Sequence, residues 1–95
     1  MPTTVLTELP AEAAQMYDGL NQEIGISQGN TPTGLIHHFA TTTGTGFVIF
    51  EVWETKEQFD RFSKERLEPA IDKVSGGQAP DASSTFGELY NEFHG

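Results

Sequence analysis

Short runs of β-branched and aromatic residues, without a clean alternation of polar and apolar positions, mark the stretches of this chain that predict strands. The stretches 3–9, 35–42 and 46–54 are rich in Thr, Val, Ile and Phe, which is typical of strands. The glycine-bearing turn TTGTG joins the second stretch to the third, so these two form a predicted hairpin. After a loop over 75–84, the segment TFGELYNEF predicts a last strand at about 85–93.

Two other stretches repeat their apolar residues every three or four positions, as amphipathic helices do. The first covers residues 11–24, with Pro10 suited to the start of a helix. Its apolar positions are Ala13, Met16, Tyr17, Leu20 and Ile24. The second follows Thr55, which can form a weak capping box with Gln58. Its inner face consists of Phe59, Phe62, Leu67 or Arg66, Ala70 and Val74. Pro69 falls inside this run, so we expect the helix to bend or restart there.

The order of the predicted elements is β-α-β-β-α-β, with a glycine-rich loop over 25–34 before the second strand. This order is that of the ferredoxin-like, split βαβ arrangement, an α+β fold with an antiparallel sheet and both helices on one face. A chain of 95 residues with 36% hydrophobic residues is expected to form one such domain over 1–95.

Both faces of the predicted sheet are apolar. Along strand 46–54 one face carries Phe47, Ile49, Glu51 and Trp53, and the other carries Val48, Phe50, Val52 and Glu54. The two helices can cover only one face, and soluble monomers rarely expose a large apolar patch. We therefore expect a homodimer in which two helix-free faces pack together. The alternative is a monomer with loops folded over this face.

Composition narrows the classes of partner. With 14 acidic and 5 basic residues the formal charge is −9, so we expect no nucleic-acid binding. No apolar run approaches ~18 residues, so no membrane span is predicted. The chain has no cysteine, which excludes disulfides and thiolate metal sites. No signal-peptide pattern is seen, and we expect a cytoplasmic protein.

The adjacent histidines His37 and His38 lie in the second predicted strand. Neighbouring strand residues point to opposite faces, so this pair cannot bind one metal ion, and we predict no metal site. A two-residue turn at Gly44 places His38 on the face of Glu51 and Trp53. A three-residue turn would exchange the two histidines, because a one-residue slip reverses every side chain. Gly44 suits the two-residue turn, which leaves His37 on the dimer side.

Two segments carry a resemblance to a known family. FEVWETKEQFDRFSKERLEPAI resembles the strand-to-helix segment of small dimeric α+β barrel proteins related to antibiotic-biosynthesis monooxygenases. In that family a strand ends in Trp and an acidic residue, and a helix with paired aromatic residues follows. GLIHHFA resembles the preceding strand of uncharacterised members, in which one His falls four residues after the Gly; here that residue is His38. The resemblance implies that Trp53 lines a pocket between sheet and helices.

The resemblance and the helical faces together define a candidate pocket. His38 would act as a general base and Glu51 would orient it, because imidazole exchanges protons near neutral pH. The residues expected to bind substrate are Trp53, Tyr17, Met16, Leu20, Phe59, Phe62 and Tyr90. Apolar and aromatic walls with a few polar groups are typical of small-molecule sites. Either Tyr17 or Tyr90 would hydrogen-bond an oxygen atom of the substrate.

The resemblance implies a cofactor-free enzyme that oxygenates, cyclises or isomerises an aromatic or polyketide-like molecule. The alternative is a non-catalytic ligand-binding or accessory homodimer. A close contact between His38 and Glu51 would favour catalysis, whereas a backbone partner for the histidine would favour a structural role. Haem degradation occurs in related proteins with a histidine on the second helix, and residues 55–74 contain none. We therefore predict no cofactor.

Overall fold

The computed structural model describes residues 2–78 and 82–95. The strands are β1 (Thr3–Pro10), β2 (Leu35–Thr42), β3 (Gly46–Trp53) and β4 (Ser83–Glu88). The helices are α1 (Ala14–Ile24), α2 (Lys56–Phe62) and α3 (Glu68–Ser75), with 3₁₀ turns at Ala11–Ala13 and Ile26–Gln28. No helix in these two described ranges is long and apolar enough to cross a bilayer.

The four strands form one antiparallel sheet in the order β2-β3-β1-β4. Val5 of β1 and Trp53 of β3 lie on one face and form the centre of the core with Phe62 of α2. Their exposed fractions are 1%, 0% and 7%, respectively. Ile24 at the end of α1 and Leu67 in the second helical run pack against the same cluster, so both helical runs cover this face. The prediction of a ferredoxin-like α+β fold is confirmed.

The second helical run begins at the predicted cap and continues through Pro69. The Thr55 hydroxyl accepts the Gln58 backbone N–H, and the Gln58 side chain accepts the Thr55 N–H, which completes the capping box. A π-helical segment, Ser63–Leu67, joins α2 to α3 without leaving helical backbone angles. Proline lacks an N–H and crowds the carbonyl four residues earlier, which belongs to Glu65. The expected restart is present: the wider π-helical turn ends at Leu67, and α3 begins at Glu68 with Pro69 in its first turn.

Two polar contacts hold the helices and the loop after α1 together. The Arg66 guanidinium donates to the backbone oxygens of Ile24 and Asn30, at 2.6 and 2.9 Å. On the surface, Lys73 of α3 pairs with Glu23 of α1 at 2.7 Å. The hydrogen bond that Lys73 donates to Glu23, together with the negative charge of that carboxylate, raises the pKa of Lys73. The sequence had left Arg66 and Leu67 as alternatives for the inner face, and Leu67 is the residue that packs in the core.

The last strand is shorter than predicted and begins earlier, at Ser83–Glu88 instead of 85–93. It ends because its partner begins: Glu88 pairs with Thr3, the first residue of β1. One further bond, from the Leu89 N–H to the Pro2 oxygen, fixes the start of the C-terminal tail, residues 89–95. The predicted loop over 75–84 lies partly outside the described residues.

A β-bulge at the start of β2 corrects the predicted alternation of its side chains. Leu35 pairs with Trp53 and His37 with Val52, so the register shifts by one residue between them. Regular alternation of side chains along a strand would place Leu35 on the same face as His37, and this expectation is wrong. Instead Leu35 packs in the core on the helix side, and Ile36 is 43% exposed.

Candidate functional site

The hairpin between β2 and β3 decides which histidine meets the helices. Thr43 donates its N–H to the Gly46 oxygen at 2.9 Å, which closes a two-residue turn of Gly44 and Thr45. In this register His38 lies directly across from Glu51 on the helix side of the sheet. The predicted two-residue turn is therefore confirmed, and the neighbouring residue His37 points to the helix-free face.

Four side chains form a continuous chain of hydrogen bonds between α1 and the sheet. The Tyr17 hydroxyl lies 2.5 Å from Nε2 of His38. Nδ1 of the same imidazole lies 2.6 Å from Oε2 of Glu51. The other carboxylate oxygen, Oε1, accepts the indole N–H of Trp53 at 3.0 Å. The side chains of His38 and Glu51 are only 24% and 12% exposed, so this array is largely shielded from water.

The carboxylate of Glu51 determines which imidazole nitrogen carries the proton. An ionised carboxylate can only accept hydrogen bonds, so Nδ1 of neutral His38 bears the hydrogen. Nε2 then presents its lone pair to the Tyr17 hydroxyl, which donates to it. This is the arrangement of an acid-base relay: a hydroxyl, a base that can take its proton, and a carboxylate that orients the base.

A cavity of about 210 Å³ lies beside this array, between the sheet and the helices. Its walls are mostly apolar and include Leu9, Leu20, Ile24, Ile26, Ile49, Phe59, Phe62, Leu67 and Ile71. The polar groups at the wall, besides the relay, are Thr7, Asn21, Ser63 and Ser84. An apolar cavity of ~150 Å³ is known to hold benzene. This cavity therefore has room for one substituted aromatic ring.

The structure brings six of the predicted site residues together at the cavity wall: Tyr17, Leu20, His38, Glu51, Phe59 and Phe62. Trp53 lies behind the wall, fully buried, where it bonds to Glu51 and packs against the rings of Phe59 and Phe62. Met16 lines an adjoining space of about 50 Å³, which shares the wall residues Leu9, Tyr17, Leu20, Ile49 and Ile71 with the cavity. Tyr90 lies in the C-terminal tail and is 99% exposed, because β4 ends before it.

Several wall residues were not among the predicted site residues. Ile24 and Leu67 were on predicted helical faces, so their spacing was a usable signal. The loop after α1 folds back where Arg66 donates to the backbone oxygen of Ile24, and Ile26 in this loop therefore reaches the cavity. Ser63 begins the π-helical segment, which has no clear pattern in the sequence. These last two residues depend on tertiary contacts.

Comparisons with known proteins identify relatives of this fold. No protein-family model matches the chain, and no curated protein sequence matches it. Among solved structures, Rv0793 from Mycobacterium tuberculosis has a TM-score of 0.70 and 14% identity, over 97% of this chain and 98% of its own. SnoaB, a cofactor-independent oxygenase from Streptomyces nogalater, has a TM-score of 0.67 and 11% identity, over 96% and 95%. An antibiotic biosynthesis monooxygenase has a TM-score of 0.65 and 14% identity, over 96% and 100%.

These likenesses extend over nearly the whole of each chain at low identity, and they show the fold. The chain has the ferredoxin-like α+β fold of antibiotic-biosynthesis-monooxygenase-like proteins, as its sequence segments indicated. Activity is a separate question, because one fold carries many functions.

Proposed function

We propose that this protein is a cofactor-independent, monooxygenase-like enzyme that acts on a small aromatic or polyketide-like molecule with an acidic C–H or O–H group. The observation that carries the proposal is the Tyr17–His38–Glu51 relay, which opens onto a mostly apolar cavity. The close bond between the histidine and the carboxylate favours catalysis over a purely structural histidine.

The relay supplies a base at the cavity wall. The Tyr17 oxygen takes a proton from the substrate while its own proton passes to Nε2 of His38. The Glu51 carboxylate stabilises the resulting imidazolium through Nδ1. The apolar walls exclude water, which strengthens these electrostatic interactions. In this mechanism His38 is the base, Tyr17 is the group in contact with the substrate, and Glu51 orients the imidazole.

Oxygenation can then proceed without a reductant. Removing a proton from an activated methylene group gives a carbanion that molecular oxygen can oxidise. One oxygen atom enters the product as a carbonyl, and the other leaves as water with the two hydrogens of the methylene. The substrate supplies all four electrons, so the balance requires no flavin or metal. The fold shared with SnoaB, which is a cofactor-independent oxygenase, supports this reaction class over cyclisation or isomerisation.

A ligand screen followed by oxygen uptake tests the proposal. Phenols, quinones, polyketide-like aromatics and haemin would be screened by thermal shift. A ligand at ~100 times its dissociation constant adds about 2.7 kcal/mol, which raises Tm by roughly 10 °C or more in a chain of this size. A ligand that raises Tm is then incubated with the protein in an oxygen electrode.

The variants Tyr17→Phe and His38→Gln separate catalysis from binding. We expect turnover to fall by roughly 10²–10⁴-fold, the usual contribution of a general base, while the thermal shift persists. A thermal shift without oxygen uptake or product would favour the non-catalytic binding protein. No shift with any compound would favour an accessory dimer and contradict the small-molecule site.

The same proposal includes a homodimer through the helix-free face of the sheet. Phe39 on this face is 60% exposed, and Leu6, Val48 and Phe50 around it are only partly buried. In the tail, Phe93 is 89% exposed. A second copy would bury these apolar groups, as two stacked sheets do.

Light scattering on a sizing column tests the dimer. We expect wild-type protein to elute as a dimer and Phe39→Glu to elute as a monomer, because a charge would be buried in the contact. Gln22→Glu adds the same charge on the exposed side of α1 and serves as the control. A monomeric wild type would overturn this part of the proposal and leave the cavity chemistry to be judged separately.

A further inference from the structure

A second group of chemically active side chains lies outside the cavity, on the helix-free face. His37 of β2 and the tail residues Glu92 and His94 each place one donor atom within 4.8 Å of the other two. We propose that these three side chains bind a divalent transition-metal ion, with Zn²⁺ as the best match. The ion would fasten the C-terminal tail to the edge strand of the sheet.

The donor set and the spacing fit such an ion. Two imidazoles and one carboxylate are established ligands of zinc, and a water molecule would fill the fourth position. Ligands at ~2.0–2.1 Å from a tetrahedral metal lie roughly 3.3 Å apart. Nε2 of His94 lies 3.4 Å from Oε2 of Glu92, which already matches this separation.

The third ligand needs only a small movement. Nε2 of His37 lies 2.5 Å from Oε2 of Glu92, within hydrogen-bond distance, and a metal ion between the two atoms would separate them by roughly 0.8 Å more. The side chains of His37, Glu92 and His94 are 26%, 38% and 70% exposed, and this exposure gives them room to move.

The backbone explains why the tail presents these donors to β2. The Leu89 N–H bonds to the Pro2 oxygen at 2.9 Å, which directs the tail along the end of the sheet. Asn91 accepts the Glu92 N–H through its side chain at 2.8 Å, which orders the next step. Glu92 and His94 are two residues apart, and Oε2 of the first lies 3.4 Å from Nε2 of the second. A net charge of −9 favours a bound cation.

This site is independent of the cavity and of the chemistry proposed for it. His38 points to the other face, where both of its ring nitrogens are engaged by Tyr17 and Glu51. The sequence argument against metal concerned only the pair His37 and His38. The contribution of Glu92 could not be predicted from the sequence, because 55 residues separate it from His37.

Isothermal titration with ZnCl₂ tests the site on the 95-residue protein after treatment with EDTA and dialysis. We expect saturable binding of one Zn²⁺ per chain. His94→Gln and Glu92→Gln should weaken binding at least tenfold, since even outer-shell changes at metal sites cost 10–100-fold. His38→Gln is the matched control, because it removes the adjacent histidine on the opposite face and should leave the affinity unchanged.

Cobalt provides an independent reading of the ligands. Co²⁺ added to wild-type protein should give visible absorption bands of a low-coordinate complex, and His94→Gln should lose them. His94 is exposed near the chain end, so its replacement leaves folding intact, and the Tm without metal verifies this. Equal zinc affinity in wild type and His94→Gln, or no saturable binding, would overturn the site. One ion per two chains would place the metal between copies and would also overturn it.

Discussion

The substitution Glu51→Gln tests whether the carboxylate controls the proton on His38. Gln keeps the shape of the side chain but offers one accepting oxygen and one donating NH₂ group. The indole N–H of Trp53 is fully buried and can only donate, so the Gln oxygen must remain with it. The NH₂ group then faces Nδ1 of His38 and donates to it. We therefore expect the imidazole proton to move to Nε2.

The size of the effect follows from the bonds involved. The bond between Nδ1 and the carboxylate, 2.6 Å long, is charge-assisted. Bonds to charged groups contribute about 1.5–3 kcal/mol and neutral ones about 0.5–1.5 kcal/mol, so the exchange costs about 1 kcal/mol of unfolding free energy. For a chain of this size that lowers Tm by ~4–8 °C. Turnover should fall much further, because Nε2–H cannot accept the Tyr17 proton; the corresponding change in a serine protease costs about 10⁴-fold.

Nitrogen NMR of the imidazole side chains measures the change directly and needs no substrate. The chain has three histidines, so each signal is assigned with one His→Gln variant. At mildly alkaline pH we expect wild-type His38 to show a proton on Nδ1 and the Glu51→Gln protein to show it on Nε2. His37 lies on the opposite face and should be unchanged. A proton on Nδ1 in both proteins would refute the reasoning about the carboxylate.

Two further substitutions test the fold around the site. Gly34 has φ +95°, and a Cβ there would lie 2.4 Å from the Gln58 side chain, so Gly34→Ala should destabilise the protein by at least about 1–2 kcal/mol. Gly19→Ala on α1 is the control: a Cβ there meets nothing within 4 Å, and helix propensity should add about 0.5–1 kcal/mol. Urea unfolding compares the two, and effects of the same sign would contradict the reasoning. Trp53→Phe removes the donor to Glu51 and should cost at least about 1.5 kcal/mol by the same assay. The tautomer of His38 should stay as in wild type, so a shift of its proton to Nε2 would count against the separate roles of the two partners.

Much of the fold could be predicted because it depends on local patterns. The content of β-branched and aromatic residues indicated β2 and β3, and the three-to-four-residue spacing indicated both helical runs. Gly44 favoured the turn that places His38 across from Glu51, and the structure has this turn. The pairing of cross-strand neighbours then follows from the register alone.

The differences arise where distant parts of the chain meet. The end of β4 is set by the start of β1, so the sequence of β4 itself could not reveal that Tyr90 lies outside the sheet. The π-helical segment accommodates Pro69 within a packed helix, and periodicity predicts only that something must change there. Trp53 was expected at the pocket wall. Its indole N–H instead donates a hydrogen bond to Glu51 behind the wall, and this role can be recognised only from the three-dimensional contacts.

The bulge between Leu35 and His37 has a consequence for how this protein can change during evolution. The strand before the bulge is fixed by Leu35 in the core, and the strand after it is fixed by the hairpin at Gly44. A residue gained or lost in the glycine-rich loop can therefore be accommodated at Ile36, because this side chain is exposed and packs neither in the core nor against the hairpin turn. The loop can vary in length while the same histidine keeps facing Tyr17, so the chemistry at the cavity wall can be retained as the loop changes.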